Sequence, residues 1–227
     1  MTEAISDRTG PSLYTCAYCA AQSSDLHICS ECGRLQPVAP GTDYFAFFGL
    51  PRKLRLDEAA LEKSFYSLSR RFHPDYFMNA PAAERQASLD RSSLLNDAYR
   101  ALRDPVSRAQ YLLSLEGYKE AEKKAPPDLL EEVFELNMQI EELKAAKKTG
   151  DEEAATARAS LEEALDMLRQ RLQDIDRRLV ALFEAWDQTI ERPSDTAEKR
   201  ATLDRMSELL SHRSYIHNLA RDIKEEI

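Results

Sequence analysis

Four cysteines stand in two pairs, Cys16-Ala-Tyr-Cys19 and Cys29-Ser-Glu-Cys32, with nine residues between the pairs. Thiolates are soft ligands, and two such turns facing each other enclose one Zn²⁺ tetrahedrally, with no coordination position left open for chemistry. The spacing points to a single structural zinc in a small ribbon or pair of knuckles. Gly33 suits the second turn, where backbone amides must swing toward the last thiolate. The interval between the pairs is shorter than in the commonest double knuckles, yet it leaves room for a small ribbon. His27 lies within it and is a ligand by type, although with four cysteines present a loop position is the simpler reading. A redox dithiol pair and an iron–sulfur cluster are competing uses of the same thiols. Disulfides are disfavoured: the opening Met-Thr-Glu-Ala-Ile-Ser-Asp lacks the apolar core of a secretory signal and the Arg-rich character of a transit peptide, so a reducing cytoplasmic setting is expected. Without metal the segment holds too little apolar material to fold alone.

His73-Pro74-Asp75 is the second chemical constellation. Imidazole and carboxylate are acid–base types, but no nucleophile or oxyanion pocket is evident beside them, and no Walker-type phosphate loop occurs in the chain. No catalytic residue is therefore assigned. Taken by itself such a tripeptide marks a turn between helices. Its position is set by helices. Leu61, Phe65, Leu68 and Phe72 recur at helical spacing and should face inward, whereas Lys63, Ser67, Arg70 and Arg71 form a cationic, solvated face. Pro74 disfavours helical geometry at His73, which ends that helix. A polar loop from Asp75 to Pro81 leads into a second helical pattern, about Ala82 to Leu102.

The totals narrow the class. The chain has 227 residues, 31 Lys+Arg against 40 Asp+Glu and a net charge of −9, an acidic balance that argues against nucleic acid as a ligand. No stretch approaches the ~18 apolar residues of a membrane span. Only 6 glycines and long charged periodic runs predict an all-α protein. Three parts are expected: residues 1–40 with the cysteines, closed by Pro37-Val-Ala-Pro40-Gly41; residues 42–119; and residues 128–227, set off by the charge run and paired prolines ending at Pro127. In the last part Asp128 can cap a helix running to about Lys148, Thr149-Gly150-Asp151 ends it, a long helix covers about Glu152 to Glu191, and Pro193-Ser-Asp195 separates a final helix from about Thr196 to Glu226. Leu161, Leu165, Leu168, Leu172, Ile175, Leu179 and Leu182 stripe the long helix, and short connections make an antiparallel three-helix bundle the natural result. Its first helix is apolar on two sides: Val133, Leu136, Ile140 and Leu143 suit the interior, while Leu130, Phe134, Met138 and Glu142 form another line beside Glu131 and Glu135. Such a helix is either buried twice or offers one side to a partner.

Two helices joined by a His-Pro-Asp loop, preceded by Asp43-Tyr-Phe-Ala-Phe-Phe-Gly-Leu-Pro51 and followed by Leu95-Asn-Asp-Ala-Tyr-Arg-Ala-Leu-Arg-Asp-Pro105, resemble the J domain of DnaJ-type cochaperones. After Tyr111 the chain continues Leu-Leu-Ser-Leu-Glu-Gly117, where general J proteins place Asp; with the acidic helical bundle and no Gly/Phe-rich linker, this resembles the HscB-type cochaperones of iron–sulfur cluster biogenesis. The resemblance covers about Asp43 to the C-terminus, and the cysteine segment resembles the one on mitochondrial members. It implies two protein partners, an IscU-type cluster scaffold and a DnaK/HscA-type ATPase chaperone whose ATP hydrolysis is stimulated. By the same resemblance His73, Pro74, Asp75, Lys63, Arg70 and Arg71 dock the chaperone, Asp75 pairing with a partner arginine and the cations meeting an acidic groove. Leu130, Phe134, Glu135, Met138, Glu142 and, from the last helix, Tyr215 fall at the family's scaffold site. Glu131 and Met138 depart from the family pattern, an acid standing where an apolar residue is usual and the reverse. A J-domain cochaperone for another client and a zinc-ribbon adaptor are the rival readings.

Overall fold

The structure, a computed structural model, describes residues 13–118, 129–146, 151–191 and 195–227, with side chains from Ala154 onward in the third stretch. The expected break after Lys119, the Asp128 cap and the turns at Thr149-Gly150 and Pro193 lie outside the described residues. Two compact units emerge: the chain to Arg52 together with Leu56–Ser107, and Lys53–Arg55 together with Arg108–Ile227.

In the first unit, a two-stranded antiparallel ribbon of β1 (Tyr14–Thr15) and β2 (Gln22–Ser23) pairs Tyr14 with Ser23 and carries the first cysteine turn. The helices follow from local signals. Asp43 accepts from the Phe45 amide at 2.9 Å and starts α1 (Tyr44–Phe47), whose Phe45 and Phe47 are buried. Asp57 accepts from the Ala60 amide at 3.0 Å and starts α2 (Glu58–Phe72). As Pro74 requires, His73 takes an extended ψ of 125°, ending α2, and a 3₁₀ turn over Pro74–Phe77 leads toward α3 (Ala82–Arg103). Leu61, Leu68 and Phe72 are buried as expected; Phe65 is half-buried, its ring stacked 4.2 Å from Tyr99. One apolar cluster joins Phe47 of α1, Leu68 and Phe72 of α2, and Ala87, Leu95 and Ala98 of α3 with Leu35 of the cysteine segment. The segment and the hairpin thus share a core. A further helix, α4 (Pro105–Leu115), which runs on from this unit into the second, was not expected from the sequence pattern, which ended at Leu102. Asp104 accepts from the Ser107 amide at 2.8 Å and Pro105 occupies the first turn, where its missing N–H costs nothing.

In the second unit α5 (Leu130–Ala146), α6 (Asp151–Glu191) and α7 (Thr196–Glu226) pack as the expected antiparallel three-helix bundle. Its interior takes Leu136, Ile140 and Leu143 from α5, Leu161, Leu165, Leu168, Ile175 and Leu179 from α6, and Leu203, Met206 and Leu210 from α7. Leu172 and Leu182 are only half-buried, and the lower end of α6 is filled by Phe183 and Trp186. Ion pairs join the helices, Arg213 to Asp176 at 2.6 Å and Lys144 to Glu226 at 3.3 Å. Asp187, buried on α6, accepts from the amides of Leu54 (2.7 Å) and Arg55 (2.9 Å), and Arg108 of α4 donates to the Leu54 carbonyl. Desolvation pushes the Asp187 carboxyl up, against the two amide donors. Lys53–Arg55, just before α2, is therefore held by α6 and α4. An Asp187→Ala exchange strands the buried Leu54 amide without an acceptor and should cost about 1–3 kcal/mol of stability. Chemical denaturation with a bundle-specific signal such as Trp186 fluorescence checks this, and an unchanged midpoint would refute it.

Candidate functional site

The four thiols converge. All four sulfur atoms lie within 4.8 Å of one another, with Cys16 and Cys32 at 3.6 Å and Cys19 and Cys29 at 3.8 Å. A tetrahedron with Zn–S of about 2.3 Å has S···S edges of about 3.8 Å, so the donor set fits such an ion. The two turns repeat one hydrogen-bond pattern. Cys16 N–H donates to Ala21 O at 2.8 Å and Ala20 N–H to Cys16 O at 3.1 Å; Cys29 N–H donates to Arg34 O and Gly33 N–H to Cys29 O, both at 3.0 Å. Gly33 (φ 68°) and Ala20 (φ 59°) both adopt left-handed backbone to complete the turns, a conformation natural to glycine and costly to alanine. Backbone amides of Tyr18 and Cys19 point at Cys16 Sγ from 3.3 and 3.4 Å, and the Glu31 amide at Cys29 Sγ from 3.4 Å. Burial pushes the Cys16 thiol up, but those amide donors and the neighbouring thiols outweigh it and bring it down to about 6. Cys16 is thus the favoured thiolate. The Ala21 amide lowers the Cys19 thiol, but hydrogen bonds from the neighbouring thiols and burial outweigh it and push it up to about 12. The Arg34 amide likewise lowers Cys32, but burial and neighbouring thiols push it up.

His27 is not among the ligands. It is buried against the rings of Phe47 and Phe72, at centroid distances of 4.9 and 4.8 Å. Burial, and then the charge of Arg91, push its imidazole down to about 4, so it is neutral. Arg91, on α3, is itself only 3% exposed. Its Nη1 lies 2.6 Å from His27 Nδ1, its Nε donates to Gln36 O at 2.6 Å, and its Nη2 donates to Leu26 O at 3.1 Å. A guanidinium only donates, so His27 Nδ1 accepts and the ring proton sits on Nε2. Gln36 closes the circuit: its Nε2 donates to Cys16 Sγ at 3.4 Å. No sequence pattern singled out Arg91. A lone arginine among polar neighbours on a helix reads as surface, and only its spacing of four from Ala87 and Leu95, on the buried face, hinted otherwise.

The tip itself is solvated. Asp75 has 76% of its side chain exposed and His73 51%; they lie 3.4 Å apart, and His73 Nδ1 accepts from the Asp75 amide at 3.3 Å, as an orienting role would have it. Lys63 and Arg70 are exposed, Arg70 donating to Tyr66 O at 3.3 Å. Arg71 corrects the expectation of a fully solvated cationic face. It is 37% exposed and pairs with Asp25 of the cysteine segment at 2.5 Å. Burial opposes ionisation of Asp25, but the His27 amide and Arg71 outweigh it and hold the carboxyl below the usual range. The physical reason is the docked segment, which brings an acid over the end of α2.

In the second unit α5 divides as its two apolar lines foretold. Leu136, Ile140 and Leu143 are buried and Val133, expected with them, is half-buried at the first turns, whereas Leu130, Phe134 (67% exposed) and Met138 face solvent, with Glu131, Glu135 and Glu142 exposed around them. Tyr215, on α7, is half-buried. No helix among the described residues is long and apolar enough to cross a membrane.

A short helix, a hairpin and an exposed His-Pro-Asp tip define a J-domain protein, and the DnaJ domain matches residues 43–111. The chain is 32% identical over 170 residues to the mouse (Mus musculus) iron–sulfur cluster co-chaperone protein HscB, covering 73% of this chain and 72% of that one. Over 107 residues it is 41% identical to the co-chaperone protein HscB homolog of Azoarcus sp. (strain BH72), covering 46% and 60%. The crystal structure of human co-chaperone protein HscB superposes with a TM-score of 0.65 at 26% identity, over 93% of this chain and 98% of that one. Chaperone HscB from Vibrio cholerae gives 0.57 at 25% identity, over 81% and 96%. The chain belongs to the HscB family of J-domain co-chaperones.

The thiolate cage makes its own prediction. Cobalt titrated into metal-stripped, reduced chain should saturate at one equivalent with the intense thiolate-to-metal absorption of a tetrahedral S₄ site, and Cys29→Ser should weaken that band and the affinity. A weak octahedral spectrum would show that the four sulfurs do not bind together.

Proposed function

We propose that this protein escorts an IscU-type iron–sulfur cluster scaffold to a DnaK/HscA-type ATPase chaperone and stimulates ATP hydrolysis there, the ATP site being the chaperone's. Membership of the HscB family supports this reading, as does the name of the mouse relative. The observation that carries it is the pairing, in one chain, of a solvated Asp75 tip with an apolar helix face left open on α5. Asp75 offers both carboxylate oxygens to an arginine of the chaperone, a geometry suited to a bidentate bond. Pro74 and the His73 hydrogen bond pre-set the tip, so little ordering entropy is lost on docking. Lys63 and Arg70 present positive charge along α2 and steer it toward an acidic groove. Arg71 joins them only in part, because Asp25 shares its guanidinium. On α5, Leu130, Phe134 and Met138 supply the apolar centre of the scaffold site, Glu135 and Glu142 its acidic rim, and Tyr215 a contact from α7. The thiolate cage holds one zinc ion, which fixes the N-terminal segment and takes no part in ATP chemistry.

Asp75→Asn should abolish stimulation of the chaperone's steady-state ATPase while leaving helical circular dichroism unchanged; surviving stimulation would defeat the docking role. Phe134→Ala and Tyr215→Ala should each weaken scaffold binding by about tenfold or more, as anchors in a desolvated interface do, with the melting temperature little altered. Titration calorimetry with the scaffold reads the effect. Equal affinity in both variants would move the cargo site elsewhere.

A further inference from the structure

The thiolate cage and the docking tip lie at opposite ends of one chain of contacts. From Cys16 Sγ it runs to Gln36 Nε2 at 3.4 Å, and from Gln36 O to Arg91 Nε at 2.6 Å. Arg91 then reaches the tip by two routes. Its guanidinium lies over the Phe72 ring, 5.6 Å from the centroid, and it holds His27, whose ring touches Phe72 at 4.8 Å. Phe72 is the last residue of α2 and directly precedes His73. Its carbonyl, whose helical partner, the Tyr76 amide, donates to His73 O instead, accepts from Ser88 Oγ at 2.6 Å and Ser92 Oγ at 3.2 Å, the latter one residue from Arg91. Alongside, Asp25 takes amide hydrogen bonds from His27 and Ile28 while pairing with Arg71, two residues before His73.

From this geometry we infer that the tetracysteine segment is a metal-dependent brace for the docking tip, and that Arg91 is the positioning residue through which the brace acts. The inference rests on the reading of His73–Asp75 as the docking element. With a divalent ion in the cage, the turn from Asp25 to Gln36 is fixed, Arg91 keeps its acceptors, and Phe72 is clamped from both sides. Loss of the ion loosens that turn, which is then tied to the hairpin by Leu35 and Ile28 and by hydrogen bonds that the four sulfurs no longer hold in register. Arg91 is then left with a buried charge and no carbonyl acceptors, Arg71 loses Asp25, and the last turn of α2 frays at the residue that sets the direction of the tip. The ion thereby governs docking without touching the partner.

Amide hydrogen exchange on the full chain, with no partner present, tests this directly. Zinc-loaded chain is compared with chain stripped by chelator under reductant. Stripping should speed exchange across Arg70–Phe77 by about tenfold or more, while Ala109–Leu113 of α4 keeps its rate. Arg91→Gln, still showing the tetrahedral cobalt spectrum, should exchange fast at the tip with or without metal. Should that variant not fold, Asp25→Asn serves instead: it keeps an amide acceptor, loses the charge on Arg71, and should loosen the tip several-fold in the loaded state. A tip indifferent to metal would overturn the inference. So would equal loosening of α4, or an Arg91→Gln tip that still responds to metal. Because no chaperone is present, failure here leaves the docking role of Asp75 untouched.

Discussion

A buried guanidinium holds the N-terminal half of this molecule together. Removing a charge such as that of Arg91 from water costs several kcal/mol even after relaxation, and the cost is offset only where every donor finds an acceptor. Here the acceptors are the carbonyls of Leu26 and Gln36 and the neutral ring of His27, all supplied by the cysteine segment, with the faces of Phe47 and Phe72 stacked near the charge. Burial lowers its pKa only to about 10, so the charge persists at neutral pH. Among the described residues no carboxylate pairs with it directly, and Asp25 acts on it only through its field. The segment therefore cannot be treated as an appendage: the hairpin's own α3 carries a side chain that is satisfied only when the segment is docked. Conversely, the segment's apolar residues Leu35 and Ile28 lie against the hairpin core, which explains how so small a ribbon orders beyond its metal cage.

That arrangement separates two kinds of requirement. The tip is polar and solvated, so Asp75 and His73 contribute nothing to the core and lie 3.4 Å from each other. Its direction must nevertheless be fixed, and the fixing is done one residue earlier, at Phe72, by two serines, a histidine and an arginine that are hidden from any partner. Exposure of the tip and its orientation are thus carried by different residues. The loop before α2 shows the same economy in the other unit, where Asp187 and Arg108 hold the Leu54 backbone by its amide and its carbonyl.

Much of this was legible in the sequence, for physical reasons that can be named. Period-3.6 apolar runs carry the helical signal, so α2, α6 and α7 fall where the pattern places them, whereas the caps at Asp43, Asp57 and Asp195 emerge only with the structure. Paired C-x-x-C turns constrain four sulfur atoms to one neighbourhood almost regardless of what surrounds them. The open face of α5 was readable because two apolar lines on one helix cannot both enter the same bundle. What periodicity does not carry is the partner of a polar side chain. Arg71 shares the helix face of Lys63 and Arg70 and is indistinguishable from them until Asp25, 46 residues earlier, is brought beside it. Arg91, His27, Asp187 and Arg108 are of the same kind: each is polar, each is buried, and each is explained only by a long-range acceptor or donor. The start of α4 at Asp104-Pro105 carried a capping signal that the apolar continuity across it concealed.

The face of α5 poses a different physical problem, since exposed Leu130, Phe134 and Met138 form an apolar surface open to association. Acidic side chains at Glu131, Glu135 and Glu142 flank them, and the net charge of −9 opposes self-association through this face, since two copies would bring like-charged rims together. A partner with a basic rim around an apolar hollow meets no such repulsion. Met138, standing where the family more often has an acid, shifts the balance further toward apolar contact, and its flexible thioether can fill an irregular hollow. Glu131 moves charge the opposite way at the N-terminal turn of α5, where the helix dipole favours an acid. The two departures therefore relocate charge along one face without changing its character, an apolar centre within an acidic rim.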